Sequence, residues 1–110
     1  MKARDLTVEG ESAVVIFTDG RNLRMEEDRT GSTGNWKLDP TRHYDKVIIY
    51  NRDRDTKTND IYVAVPTDIH QSPDPERRVI QLASIQHVGT TEKNWLEFAE
   101  GGQNPIHYLT

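Results

Sequence analysis

The chain has 110 residues and a mass of 12.7 kDa, which suits one domain with a modest core and is too short for two ordinary domains. Its net charge of -4 and pI near 5.5 argue against the broad basic face of a non-specific duplex binder, although a local basic groove is compatible with them. The absence of cysteine excludes disulfides, thiolate metal sites and thiol nucleophiles, and makes a cytoplasmic location the natural expectation. The longest apolar runs are too short to span a membrane, so a soluble protein is expected.

Four apolar, β-branched stretches predict strands in the body of the chain. Residues 13–17 read Ala-Val-Val-Ile-Phe and stop at a turn cluster. Residues 46–52 and 61–66 are two further strands, and the polar stretch between them predicts an antiparallel hairpin. Residues 79–86 follow a proline-containing loop and are predicted as the fourth strand.

The best helix in the chain is predicted at residues 90–100. Trp95 and Phe98 fall on one face of it, and the glycine pair that follows supplies a left-handed exit. Residues 104–109 then alternate between apolar and polar side chains, which predicts a closing strand.

The middle and the beginning of the chain carry weaker patterns. Residues 21–25 predict a short strand, and Gly-Ser-Thr-Gly at 31–34 predicts a mobile loop. Residues 1–10 are also expected to be mobile. The whole pattern predicts a single domain over residues 1–110 of the α+β class, mainly β, with five to six mostly antiparallel strands and one C-terminal amphipathic helix before the last strand.

The histidines and carboxylates form no recognisable catalytic or metal-binding motif. The four histidines are at least 17 residues apart and lie in different predicted elements, without the close spacing of zinc ligands. Asp53 and Asp55 alternate with arginines in a hairpin tip, where charges serve solubility. Neither a Gly-x-Ser-x-Gly elbow nor a glycine-rich phosphate loop occurs. The sequence therefore predicts no catalytic residue, no metal site and no cofactor.

The most unusual stretch is residues 34–46, just before a strong strand. Trp36 and Tyr44 lie there among several cations, including Lys37 and Arg42. Aromatic rings can stack on exposed bases while cations contact phosphates, so this composition suits nucleic acid. The plainer alternative is that Trp36 fills the end of the sheet while the basic side chains are simply solvated.

A tryptophan-containing segment at 34–37 is followed by the strand Asp-Lys-Val-Ile-Ile-Tyr at 45–50 and a partner strand at 59–65. This order, with the later helix and the segment 103–108, resembles the PUA-like superfamily, especially its EVE and ASCH branches. The resemblance implies a small pseudo-barrel with a cleft that accepts a nucleobase, often modified and often flipped out of its strand.

The leading hypothesis is a non-catalytic binding module that recognises a nucleobase, modified or not, in DNA or RNA through an aromatic and basic cleft. Trp36, Asp45 and Tyr50 match the resembled family, while the basic residues follow from charge placement. In this hypothesis the two rings flank a base and the cations contact phosphate. The predicted nucleic-acid-binding residues are Trp36, Lys37, Arg42, Asp45, Tyr50 and Arg52.

Two other functions remain open at this point. The first is a protein-interaction module of unknown partner, docked through a strand edge or an apolar patch, which the net charge of -4 slightly favours. The second is a small hydrolase or nuclease acting through Arg42, His43 and Asp45, which rests only on the clustering of these polar residues. No membrane partner is expected.

Overall fold

The computed structural model describes residues 1–39 and 41–109. Seven strands form one mixed sheet in the order β2-β3-β6-β5-β4-β1-β7. The strands are Ala13–Thr18 (β1), Leu23–Met25 (β2), Gly31–Trp36 (β3), Lys46–Arg52 (β4), Asn59–Gln71 (β5), Arg78–Thr91 (β6) and Ile106–Leu109 (β7). A 3-10 helix covers Ala3–Leu6, and the α-helix α1 covers Trp95–Ala99. Within the described residues, no helix is both long and apolar enough to cross a membrane.

The mainly β character is confirmed, but the predicted strand count and pairing are corrected. The sheet has seven strands rather than five or six, and β1 runs parallel to β4. The predicted β4–β5 hairpin is antiparallel, as are the other described pairings. The end strands β2 and β7 do not pair with each other in the described part of the chain, so the expected pseudo-barrel is an open, curved sheet.

The sheet buries apolar side chains on both faces, because successive residues of a strand point to opposite sides. Val14 and Ile16 belong to one core cluster, whereas Val15 belongs to another. The long hairpin of β5 and β6 contains three register shifts, and bulges of this kind bend a sheet. This bending lets the β6 residue Ile80 pack in the first cluster with residues of β1.

The second cluster is covered by α1 and the 3-10 helix. Phe98 and Ala3, one from each helix, are fully buried in it. The Asn94 side chain caps α1 by accepting a hydrogen bond from the Glu97 N–H at 2.9 Å, and Glu100 ends the helix in the left-handed conformation. The observed helix is shorter than the predicted one at 90–100. Thr90 and Thr91 belong to β6, where they pair with β5.

The expected loop at residues 31–34 is also corrected, because it lies within β3. Gly31 packs so closely on β2 that an added Cβ would stand 2.0 Å from the Arg24 carbonyl oxygen. At Gly34 an added Cβ would stand 2.8 Å from a Val79 methyl group. The two glycines therefore allow neighbouring strands to pack closely. A Gly-Ser-Thr-Gly sequence fits such a strand as well as a flexible loop, so the composition of the segment does not distinguish the two.

Candidate functional site

A cleft of about 550 Å³ opens where the carboxyl ends of β1 and β4 meet the segment around α1. Its volume lies in the range of roughly 300 to 1,000 Å³ that is typical of small-molecule sites. We call it the aromatic cleft, and the residues that define it are Phe17, Tyr50, Arg52, Lys57, Asn59 and Trp95. Glu92 also lines it.

Three aromatic rings form the wall of the aromatic cleft. Phe17 and Tyr50 are stacked, with centroids 5.6 Å apart, and the Trp95 ring meets both edge-on at 5.7 and 5.6 Å. Behind them, the fully buried Phe98 lies 5.2 Å from Tyr50. Tyr50 is itself only 2% exposed, whereas Phe17 and Trp95 are half-buried. The ring surface open to a ligand therefore belongs to Phe17 and Trp95.

Two polar side chains fix the floor of the aromatic cleft. The Tyr50 hydroxyl donates to the Lys93 carbonyl oxygen at 2.7 Å. The Asn59 amide donates to the Thr91 carbonyl oxygen at 3.0 Å and, more weakly, to Lys93 at 3.4 Å. Burial raises the pKa of Tyr50, against the opposing charge of Arg52, so the phenol stays protonated near neutral pH. The segment that leads into α1 is thus tied to β4 and β5.

Arg52 and Lys57 supply positive charge at the mouth of the aromatic cleft. Both side chains are exposed, and neither forms a salt bridge with any residue the structure describes. Arg54 lies close by but is paired with Asp19, which also contacts Arg21. Although partial burial opposes it, the hydrogen bond from Arg54 and the charges of both arginines hold the pKa of Asp19 below its usual range.

A second cleft of about 590 Å³ adjoins the aromatic cleft. Phe17, Arg52 and Lys57 line both, and Asp19 and Arg54 complete the second one. A ligand that placed a ring in the aromatic cleft would have its attached groups beside these basic side chains. The arrangement suits a planar group that carries an anion.

The six residues predicted from the sequence do not come together. Tyr50 and Arg52 line the aromatic cleft, two residues apart on the same face of β4. Trp36 is half-buried against the other core cluster, and its indole N–H donates to the Thr33 hydroxyl at 2.8 Å. It borders a smaller cleft of about 230 Å³, which shares Phe17 with the aromatic cleft.

The other three predicted residues are engaged elsewhere. Lys37 lies 3.7 Å from Glu76, and the Arg42 guanidinium sits 4.3 Å above the Tyr108 ring. Asp45 accepts hydrogen bonds from the Ser12 N–H and the His43 ring, both at 2.9 Å. These bonds lower the pKa of Asp45. Its carboxylate therefore joins the segment before β1 to the start of β4.

Sequence analysis missed Phe17, Lys57, Asn59 and Trp95 as site residues. Trp95 falls on the apolar face of the predicted helix, and in the structure it packs against the second cluster and also borders the cleft. Phe17 reaches the site through the parallel β1–β4 pair, which no local pattern indicated. The one usable signal was the spacing of Tyr50 and Arg52, which puts them on one face of a strand.

Three histidine–carboxylate pairs lie outside the aromatic cleft, and the longest, between His70 and Asp68, measures 3.7 Å. His43 contacts Asp45 at 2.9 Å, and His87 contacts Asp60 at 3.1 Å. The His43 side chain is 82% exposed, so that pair lacks the water-excluded surroundings that strengthen acid–base catalysis. Among the residues described, no group of three or more His, Asp or Glu side chains is arranged to hold a metal ion.

Comparison of the chain with protein-family models, curated proteins and solved structures gave no significant match. The PUA-like resemblance therefore stays a prediction, and the function has to be inferred from the site itself.

Proposed function

We propose that this chain is a non-catalytic binding module that takes a nucleobase of DNA or RNA into the aromatic cleft. The observation that supports the proposal is the pair of exposed cations, Arg52 and Lys57, at the mouth of a ring-lined cleft, without salt bridges to the described residues. A flat aromatic ligand carrying phosphate combines both features.

The base in this proposal stacks against Trp95 and Phe17 rather than between Trp36 and Tyr50. Tyr50 is 2% exposed, so it supports the wall without offering a free ring face. Stacking of one base on an aromatic side chain contributes about 1–3 kcal/mol, as judged by alanine substitution. Trp36 remains a candidate contact for a neighbouring nucleotide, because Phe17 lines both its cleft and the aromatic cleft.

The phosphates in this proposal lie in the adjoining cleft. Arg52 and Lys57 reach both clefts, and they stand on either side of the β4–β5 turn. A base inserted into the aromatic cleft must leave the helical stack, so single strands and unpaired loops are the natural substrates. Two phosphate contacts and one stacked base give weak binding that depends strongly on salt.

The test compares charge removal inside and outside the aromatic cleft. Affinities of short labelled single-stranded DNA and RNA are measured by fluorescence anisotropy over a range of salt concentrations. Arg52→Gln and Lys57→Gln each weaken binding and lower the slope of log affinity against log salt by about 0.7 for a single strand. Lys37→Gln makes the same change of charge beside Glu76, away from the cleft, and leaves that slope unchanged.

An equal loss of affinity in all three variants would mean that the strands are attracted to positive charge anywhere on the protein surface. That result would contradict binding at the aromatic cleft. Undetectable binding of the unaltered protein at low salt would contradict the nucleic-acid function as a whole.

A second candidate function is supported by the free edge of β5. Pairing with β4 stops at Ala64, so residues 65–71 have only β6 beside them among the described strands. Val65 and Ile69 on this stretch are 46% and 39% exposed. An extended peptide of a partner protein can add to such an edge as a further strand.

This alternative predicts a protein partner that is retained after nuclease treatment. Val65→Lys and Ile69→Lys abolish its recovery, because a charged side chain on an edge opposes strand addition. Arg52→Gln leaves recovery intact in this case. Loss of the partner on nuclease treatment, or its retention by both lysine variants, excludes the edge as the docking site.

A further inference from the structure

The amide of Asn59 has one polar atom without a hydrogen-bond partner among the described residues. The residue opens β5 on the floor of the aromatic cleft and is only 6% exposed. Its Nδ2 group donates to two carbonyl oxygens, those of Thr91 and Lys93. A flipped amide would bring Oδ1 against these oxygens, so the orientation is fixed by the backbone. Oδ1 then accepts no hydrogen bond from any described residue.

The Tyr50 hydroxyl has the same character as the Asn59 Oδ1. Its proton is used in the 2.7 Å hydrogen bond to the Lys93 carbonyl oxygen, so the lone pairs of its oxygen are what it can offer to a ligand. Burial raises the pKa of Tyr50, which keeps this proton in place. The polar atoms on the floor are therefore hydrogen-bond acceptors, and a bound ligand has to bring the donors.

We infer that the aromatic cleft selects bases that carry an exocyclic amino group, with Asn59 Oδ1 as the acceptor that reads it. This inference rests on the proposed function. Adenine and cytosine present an N–H₂ donor, whereas thymine and uracil present a carbonyl oxygen at the corresponding position. A carbonyl oxygen facing Oδ1 would leave Oδ1 without a donor, because the N3–H of thymine and uracil lies one ring atom away from that position. Buried polar groups left unpaired discriminate strongly between similar ligands.

The direct test removes the amino group and changes nothing else. Five-nucleotide DNA and RNA strands carry adenine or cytosine at the centre, or the matching bases without the amino group, unsubstituted purine and pyrimidin-2-one. Thymine or uracil fills the other positions, so that only the central base brings an amino donor. The amino-bearing strands are expected to bind about five- to tenfold more tightly, the effect of one hydrogen bond to an acceptor that the bound base covers.

The variant Asn59→Leu has a side chain of similar size and removes the acceptor, so it abolishes the preference. Tyr62→Phe removes a hydroxyl from a tyrosine that does not line the aromatic cleft, so it retains the preference. If Asn59→Leu does not fold, the comparison of bases on the unaltered protein still decides the question. A preference that survives in folded Asn59→Leu overturns the role of Asn59.

The outcomes separate this inference from the proposed function. Equal affinity for bases with and without the amino group overturns the selectivity, while binding at the aromatic cleft stands. Failure of every strand to bind overturns both. A preference for the amino-free bases also overturns the inference, because it would show that the floor does not need a donor.

Discussion

Phe17 and Tyr50 are partners across the parallel pair of β1 and β4, and their rings stack with centroids 5.6 Å apart and planes inclined at 27°. The two strands run in the same direction and in register, so each brings an aromatic side chain to the same end of the sheet. The wall of the aromatic cleft therefore depends on the sheet topology, because the one parallel pairing described in this sheet places these two rings side by side.

The hydroxyl of Tyr50 stabilises the segment before α1. Tyr50→Phe removes the hydrogen bond to the Lys93 carbonyl oxygen and leaves the ring packing in place. We expect the free energy of unfolding to fall by about 1 kcal/mol. Urea denaturation followed by tryptophan fluorescence measures this change.

Tyr62→Phe is the matched control for that change. The Tyr62 hydroxyl makes no hydrogen bond within the described residues, although its ring packs against the first cluster and contacts His87. Its removal should alter the free energy of unfolding by less than about 0.5 kcal/mol. Equal effects of the two substitutions would show that the contact with Lys93 is not stabilising.

Attachment of α1 depends on Phe98. This side chain is fully buried in the second cluster, and Phe98→Ala should lower the free energy of unfolding by about 3–5 kcal/mol. Leu96→Ala, on the same helix with its side chain 46% exposed, should cost less than about 1 kcal/mol. Thermal unfolding of both variants checks the difference, and similar melting temperatures would be inconsistent with the described packing of the helix.

The close approach of β2 and β3 depends on Gly31. A Cβ there would meet the Arg24 carbonyl oxygen at 2.0 Å, so Gly31→Ala must push the strands apart at a cost of about 1–3 kcal/mol. Gly102→Ala meets nothing within 4 Å and should change stability by less than about 0.5 kcal/mol. Chemical denaturation of both proteins makes the comparison. A harmless Gly31→Ala would indicate that residues 31–34 form a loop after all.

Asp45 should contribute to resistance against acid. The Ser12 N–H and the His43 ring lower its pKa in the folded protein relative to the unfolded chain. A lowered folded-state pKa stabilises the protein above the unfolded value, and this stabilisation is lost as pH falls below about 4. Asp45→Asn should therefore weaken the dependence of stability on pH in that window. Identical acid-denaturation curves for the two proteins would contradict this contribution.

Local patterns predicted the central strands well. The predicted strand 46–52 is β4, and residues 13–17 fall within β1, because β-branched runs bounded by turn residues carry their own signal. β5 and β6 extend beyond the predictions, because bulges allow polar residues to continue the ladder. Thr90 and Thr91 show most clearly where prediction from local sequence fails. Their hydroxyl side chains are typical of a helix start, but both residues pair with Asn59 and Asp60 and so belong to β6.

The candidate site was less predictable than the fold. Tyr50 and Arg52 share a strand face, so local periodicity placed them together. The sequence prediction placed Trp36 in the site and Trp95 on the apolar face of the helix, whereas Trp95 and not Trp36 lines the aromatic cleft. The difference between the two depends on contacts distant in sequence. The Asn59 acceptor becomes evident only when the carbonyl oxygens of Thr91 and Lys93 are brought beside it.

The most direct measurement is an NMR titration of labelled protein with short DNA and RNA strands at low salt, following the two indole N–H signals. The Trp95 indole donates to the Asn104 carbonyl oxygen, and the Trp36 indole donates to the Thr33 hydroxyl, so the signals report on separate clefts. We expect a salt-sensitive shift at Trp95, accompanied by Arg52 and Lys57, and a smaller change at Trp36. A shift at Trp36 with Trp95 unchanged, or no shift at either indole, would contradict nucleobase binding in the aromatic cleft.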